Sequence, residues 1–255
     1  MNSGLSSVEI FAIPGVPIVD KGEDIAHVVA QAAEKAAITI LDGDIIVIAH
    51  TIVSRAEGRR IDLRTVKPRP EAERVAAQVG KDPRHVEVIL RESRRIIRVA
   101  RNVIICETHH GLICANAGVD ASNSGGPYHV LTLPVDPDLS AARIRDGLRK
   151  LTGADVAVII CDTFGRPFRR GTVNIAIGCS GINPLWDRRG EKDLFGRVLI
   201  SKVTCVADEL ASAAELVIGQ ADEGTPVAII RGYKYDRREA PAGHIIRPPD
   251  ENLFG

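Results

Sequence analysis

"VIICDTFGRPFRRG", residues 158–171, decides how this chain folds. An apolar run closing on Cys161 reads as the end of a buried strand over 156–161. It passes directly into Asp162, Thr163, Gly165 and three arginines, Arg166, Arg169 and Arg170. Folding alone does not require a carboxylate, a hydroxyl and clustered guanidinium groups at that place. A site that handles a metal ion and phosphate does. The next strand-like segment, 173–179, follows with no helical stretch between. Strand succeeds strand, and a steady β-α-β alternation is broken.

Outward from this stretch the pattern is equally mixed. Residues 8–13 alternate as a strand and stop at "PGVP". Residues 24–38 read as a helix capped by Asp24. "DGDIIVIAHTIVSRAEG" (42–58) is a turn, an apolar strand and a polar continuation. Helices are expected over 70–79 and 83–94, each opening with Pro, and over 140–152. One strand is expected over 96–107, with "THHG" turning the chain so that 112–115 returns as a hairpin. A loop, "DASNSGGP", occupies 120–127. A strand over 198–206, a glycine-ended helix over 208–219 and a strand over 227–230 follow, and 233–255 is an irregular tail. The expected fold class is α+β, with mixed, largely antiparallel sheets and packed helices. Residues 1–255 read as one unit, with two intertwined subdomains as one arrangement of it. The candidate boundaries lie near 65–70 and 134–139.

Charge balances, with 33 Lys and Arg against 33 Asp and Glu, so the whole molecule exerts no strong pull on nucleic acid or anionic lipid. Aromatics make up 4% of residues, which argues against stacking platforms for single-stranded nucleic acid. No apolar run reaches the roughly 20 residues that cross a bilayer, and the N-terminus lacks a signal-peptide pattern. No membrane partner is expected. Cys106, Cys114, Cys161, Cys179 and Cys205 have no C-x-x-C spacing and read as buried thiols in a reducing cytoplasm.

Several familiar sites are absent from the sequence. There is no P-loop and no G-x-G-x-x-G fingerprint after a strand. His109 and His110 are adjacent, not spaced as zinc ligands on a helix. Residues 178–181 lack nucleophile-elbow spacing. The segment from Asp120 fails as a calcium loop, because Leu131 stands where Glu is needed.

Four polar segments remain. In "CANAGVDASNSGG" (114–126), Asp120 offers charge to a hard cation and Ser122 and Asn123 offer neutral oxygens. Taken alone, the segment is better explained by an Asx turn, with Asp120 bonding its own loop. In "CDTFGRPFRRG", Asp162 and Thr163 are placed to hold a cation, and the arginines to bind phosphate or carboxylate. A solvated basic turn paired with Asp162 is the alternative. His50, Thr51 and Arg55 in "AHTIVSRAEG" suit a nucleotide base or phosphate, or simply an amphipathic strand. "VIGQADEGTP" (217–226) makes a flexible cover with Gln220 as an oxygen donor, or a plain helix end at Gly219.

Taken together with the opening "FAIPGVPIV", and with "ETHHGLICANAGVDASN" and "VADELASAAELVIGQADEGTPVAIIRG", these blocks resemble the coenzyme F420-0:γ-glutamyl ligase family. Order and spacing agree over about residues 8–232. The resemblance implies a homodimeric α+β enzyme in the stand-alone form, without the nitroreductase-like C-terminal domain of some bacterial relatives. It implies an acid–amino-acid ligase that uses GTP and Mg²⁺ or Mn²⁺, one or two ions per site, with K⁺ as a candidate assisting ion. L-Glutamate is joined to the lactyl-phosphate side chain of a deazaflavin, coenzyme F420-0, and further glutamates are added through γ-linkages. By the same resemblance Asp120 and Asp162 match metal-binding aspartates, and Thr163 and Gln220 match positions near a second cation. Val16, Pro17, Ile18, Val19, His50, Thr51, Arg55, Asn123, Ile218, Gly219, Gln220, Ala221, Asp222, Glu223, Gly224 and Thr225 match the guanine-nucleotide site. Arg55 stands where members often carry Lys, and Gln220 where some carry Glu, which removes a negative charge near the second cation.

The chemistry expected is phosphorylation of the acceptor carboxylate, since oxide is a poor leaving group, followed by displacement of phosphate by the glutamate amine. Asp120, Asp162, Arg166 and Arg169 are the candidate catalytic residues, with Arg170 beside them. A ligase acting on another carboxylate acceptor is one alternative, and a nucleotide-binding regulator without catalysis is another.

Overall fold

The computed structural model describes residues 7–252. In chain order its elements are β1 (Glu9–Ala12), α1 (Ile25–Lys35), β2 (Ile45–Ala49), α2 (His50–Ala56), β3 (Arg60–Asp62), α3 (Pro70–Val79), α4 (Pro83–Arg91), β4 (Ser93–Ala100), β5 (Val103–Thr108) and β6 (Ile113–Ala115). They continue with β7 (His129–Leu131), α5 (Pro137–Thr152), β8 (Ala157–Arg166), β9 (Arg169–Ser180), β10 (Leu185–Asp187), β11 (Val203–Cys205), α6 (Val206–Ile218) and β12 (Val227–Arg231). The class is α+β, as the strand-after-strand pattern predicts.

A five-stranded sheet in the order β1-β12-β2-β8-β9 forms the centre. Only the β2–β8 pair is parallel, and the other three pairings are antiparallel. The middle strands are apolar without interruption because both faces are covered. Ile46 and Ile48 of β2 pack on one face with α1 and α5, and Ile45 and Val47 pack on the other with α6. Side chains alternate with period two, so each strand serves two cores. A third core lies over residues 63–130, where α3, α4 and β5 bury Val75, Val79, Val86, Ile89 and Ile104. Asp24 caps α1 as expected, accepting from the amides of Ala26 and His27.

The structure corrects the sequence reading in several places. The quoted stretch is not a loop after a strand, because β8 runs on to Arg166 and turns through Pro167 and Phe168 into β9. Residues 50–56 are a helix, not a polar strand extension, for β2 and β8 stop pairing at Ala49 and Cys161. The expected single strand over 96–107 is a hairpin, β4–β5, bent at Asn102 with φ 67°. Asn tolerates that left-handed conformation better than most residues. Helix α4 stops at Arg91, three residues early, and the strand expected over 198–206 shrinks to β11. Residues 233–252 carry only short 3₁₀ turns, yet Tyr233, Tyr235, Ala242 and Ile245 pack on the α6 side of the core.

Candidate active site

Parallel pairing of β2 with β8 places the first site residues. Ala49 faces Cys161 in the last pair of the parallel register, so His50, starting α2, comes out beside Asp162, which continues in β8 paired only with β9. His50 Nε2 lies 3.3 Å from Asp162 Oδ1, and its Nδ1 lies 3.2 Å from the buried Ser54 hydroxyl one helical turn on. Just before Asp162 the β8–β9 register slips between Ile160 and Cys161. A bulge of this kind re-aims side chains where a strand leaves the core. Burial works to lower the His50 pKa, but the adjacent Asp162 charge and hydrogen bond, with the Asp120 charge, outweigh it and raise it overall.

Asp120 arrives from a different layer. Its backbone exchanges two hydrogen bonds with Leu131, and the neighbouring Ala117, Val119 and Val130 belong to the third core. Its carboxylate accepts from the Ser122 amide at 2.7 Å and lies 2.8 Å and 2.9 Å from the Ser122 hydroxyl. The Asx turn is therefore present. It leaves lone pairs on both oxygens, since a carboxylate has about four acceptor sites.

Three segments lock around these residues. Arg55 on α2 donates through Nη2 to the Asn123 carbonyl at 2.6 Å, and Asn123 Nδ2 donates to the Ala221 carbonyl at 3.2 Å. The Thr163 hydroxyl lies 2.8 Å from Asn174 Oδ1 and 2.9 Å from Gln220 Oε1, and with one hydrogen it donates to one of them at a time. Gln220 in turn donates from Nε2 to Asn174 Oδ1 at 3.2 Å.

Together these groups wall one cavity of about 960 Å³. Asp120, Asp162, Thr163 and Gln220 line it. So does every residue expected at the nucleotide: Val16, Pro17, Ile18, Val19, His50, Thr51, Arg55, Asn123 and all of 218–225. Arg166, Arg169 and Arg170 do not. They sit at the tip of the β8–β9 hairpin, where Arg166 Nη2 lies 3.3 Å from the Arg170 carbonyl and the intervening Phe168 is 91% exposed. Sequence reasoning overlooked Asn174, a buried side chain directly across the ladder from Thr163. Its signal was a lone amide inside the apolar run 173–179. Cys114 and Cys161 also line the cavity, and burial, followed by the Asp162 charge, pushes the Cys114 thiol up to about 12 and the Cys161 thiol higher still.

The donor set suits a hard cation. It offers two carboxylates, hydroxyls and amide oxygens. Among the described residues no cluster of three His, Cys, Asp or Glu forms a closed cage. Mg²⁺ and Mn²⁺ are commonly held in this way, by one or two carboxylates with substrate phosphates completing the shell.

Comparison with known proteins places the chain in a family. Residues 15–232 match the sequence profile of the F420-0:Gamma-glutamyl ligase family. The coenzyme F420:L-glutamate ligase of Methanopyrus kandleri is 51% identical over 255 residues, covering 98% of this chain and 99% of its own. Those of Methanothermobacter thermautotrophicus and Methanocaldococcus jannaschii are each 49% identical over 249 residues, covering 97% of this chain and 98% and 96% of their own. With the profile spanning most of its length and relatives about half identical over nearly the whole chain, the chain belongs to the F420-0:γ-glutamyl ligase family.

Proposed function

We propose that this protein is a GTP-dependent ligase that joins L-glutamate to the carboxylate of coenzyme F420-0. The observation that carries the reading is the meeting of Asp120 and Asp162, held by separate layers, in one large cavity with the segments 16–19, 50–55 and 218–225. A bound divalent ion would lie against Asp120 and Asp162 and offset charge on the nucleotide phosphates. The chain's own residues do the rest. Arg55, tied to the Asn123 carbonyl, adds a fixed cation to the cavity wall. His50 holds Asp162 in place from behind, and Asn174 holds Thr163 and Gln220. Loop 218–225 closes over the cavity with Thr225 fastened to the carbonyls of Val217 and Ile218.

In the reaction the acceptor carboxylate attacks the γ-phosphorus and GDP leaves, giving an acyl phosphate. The glutamate amine then attacks the acyl carbon, phosphate departs and the amine loses its proton to solvent or phosphate. Holding the reacting groups in line supplies much of the acceleration. The same active site repeats the step on the γ-carboxylate just added.

A homodimer fits the surface. Trp186, Leu194, Phe195, Val198, Ile200 and Val203 stand at least 40% exposed on and between β10 and β11. Exposed apolar side chains grouped along this segment support the reading of an association face. Five free cysteines suit a reducing cytoplasm, and no helix among the described residues is long and apolar enough to cross a membrane. The test is GDP release with and without L-glutamate and F420-0, with mass spectrometry of the deazaflavin product. Release that requires both, with a glutamate-sized mass gain, is the expected result. Tight GTP binding without turnover would instead identify a regulator.

A further inference from the structure

Beside the main cavity, and sharing Val19 and Arg55 with it, lies a second recess of about 230 Å³. Lys21, Arg55 and Arg60 line it against a single acidic residue, Asp20. Among the described residues, none of these three cations forms an ion pair. Elsewhere on the surface, Arg64, Arg189 and Arg238 each hold the aspartate two residues earlier. What distinguishes the recess is that its three cations line one place, with two of them meeting at Gly125.

Their placement is built by close approach to glycine. A Cβ on Gly125, at φ +97°, would lie 3.2 Å from Arg60 Nη1 and 3.4 Å from Arg55 Nη2, so both guanidinium groups rest against one point of the Ser/Gly loop. A Cβ on Gly58, at φ +70°, would meet Lys21 Cδ and Cε at 2.7 Å, so the lysine stem occupies the room a side chain would take. Burial, then the neighbouring Arg60 charge, lowers the Arg55 pKa, with Asp20 opposing. Two guanidinium groups held together without an anion repel each other, and an oxyanion between them removes that cost. Arg55 spends one N–H on the Asn123 carbonyl, which fixes the direction of its fork.

We infer that Lys21, Arg55 and Arg60 form an oxyanion subsite that takes a phosphate or carboxylate group of a substrate lying in the main cavity. The subsite stands on the cation geometry, and only its assignment to a substrate rests on the ligase reading. Two sources share this chemistry: the phosphate chain of the nucleotide and the anionic group of the acceptor.

The experiment uses the full chain with Lys21→Gln and Arg60→Gln, singly and combined, and Arg60→Lys. Arg98→Gln on β4, outside both recesses, controls for loss of a surface charge. Titration calorimetry with inorganic phosphate at low salt should show at least tenfold weaker binding in the combined variant, partial recovery in Arg60→Lys and less than twofold change in Arg98→Gln. In steady-state kinetics, a raised KM for nucleotide alone assigns the subsite to nucleotide, and a raised KM for acceptor alone assigns it to acceptor. Phosphate affinity unchanged in the combined variant, or reduced equally in Arg98→Gln, overturns the subsite. A wild-type protein without glutamate-dependent turnover would remove the ligase reading and leave the phosphate result standing.

Discussion

Asp162 and Asp120 face the same cavity but are held by different physics. Asp162 follows the last residue pair of a parallel ladder inside a sheet buried on both faces, and a buried His50–Ser54 relay backs it. Asp120 hangs from a short bridge to Leu131, on a layer with its own core, and its carboxylate is oriented by Ser122 in the same loop. One is placed by global strand register, the other by a local turn attached to a separate core. Damage to the third core should therefore move Asp120 and leave Asp162 in place.

The largest expected effects test the charges themselves. Asp162→Asn and Asp120→Asn should each lower kcat by roughly 10²–10³-fold, the range for losing one preorganised electrostatic group. Melting temperatures should stay close to wild type, since Asn fits the Asx turn at 120 and keeps a polar partner for His50 at 162. Near wild-type turnover in either variant would remove that aspartate from the site. Ser122→Ala should cost less, about 10-fold in divalent-ion affinity measured by titration, because it withdraws a supporting hydroxyl and not the charge.

A smaller effect separates the two layers. Glu87 on α4 is 2% exposed and accepts from the Arg69 amide and guanidinium and from Arg91. Burial pushes its pKa up, but these donors outweigh burial and hold it below the ordinary carboxylate range. A depressed folded value stabilises above the unfolded pKa, near 4.5, and the contribution is lost as pH falls through the folded value. Glu87→Gln should destabilise by about 1–3 kcal/mol at pH 7. The deficit should shrink in urea titrations below about pH 4. Hydrogen exchange should quicken in 63–130 before it does in β2 and β8, and uniform quickening would break the two-layer picture.

The smallest effect concerns Cys114, which lines the cavity with its thiol pushed up to about 12 by burial and then by Asp162. At pH 8 it should resist iodoacetamide in the folded protein and react only after unfolding. Mass-spectrometric labelling of the native enzyme at Cys114 would mean that the cavity wall opens far more than the packing of β6 suggests.

The local physics was legible in the chain itself. Apolar runs at 45–49 and 157–161 announce buried strands, Asp24 announces a helix start, and Asp120 and Asp162 stand out as carboxylates in polar segments next to strands. Short-range rules suffice for these, as each depends on a residue and its close neighbours. Other features depended on partners far along the chain. Only the sheet pairing shows that His50 stands beside Asp162, that Asn174 faces Thr163, and that Arg166, Arg169 and Arg170 are carried out of the cavity on a hairpin tip. The turn at Asn102 and the convergence of Lys21 with Arg60 belong to the same class. Register and layer packing set these positions, and both are properties of the folded whole that no single stretch of sequence contains.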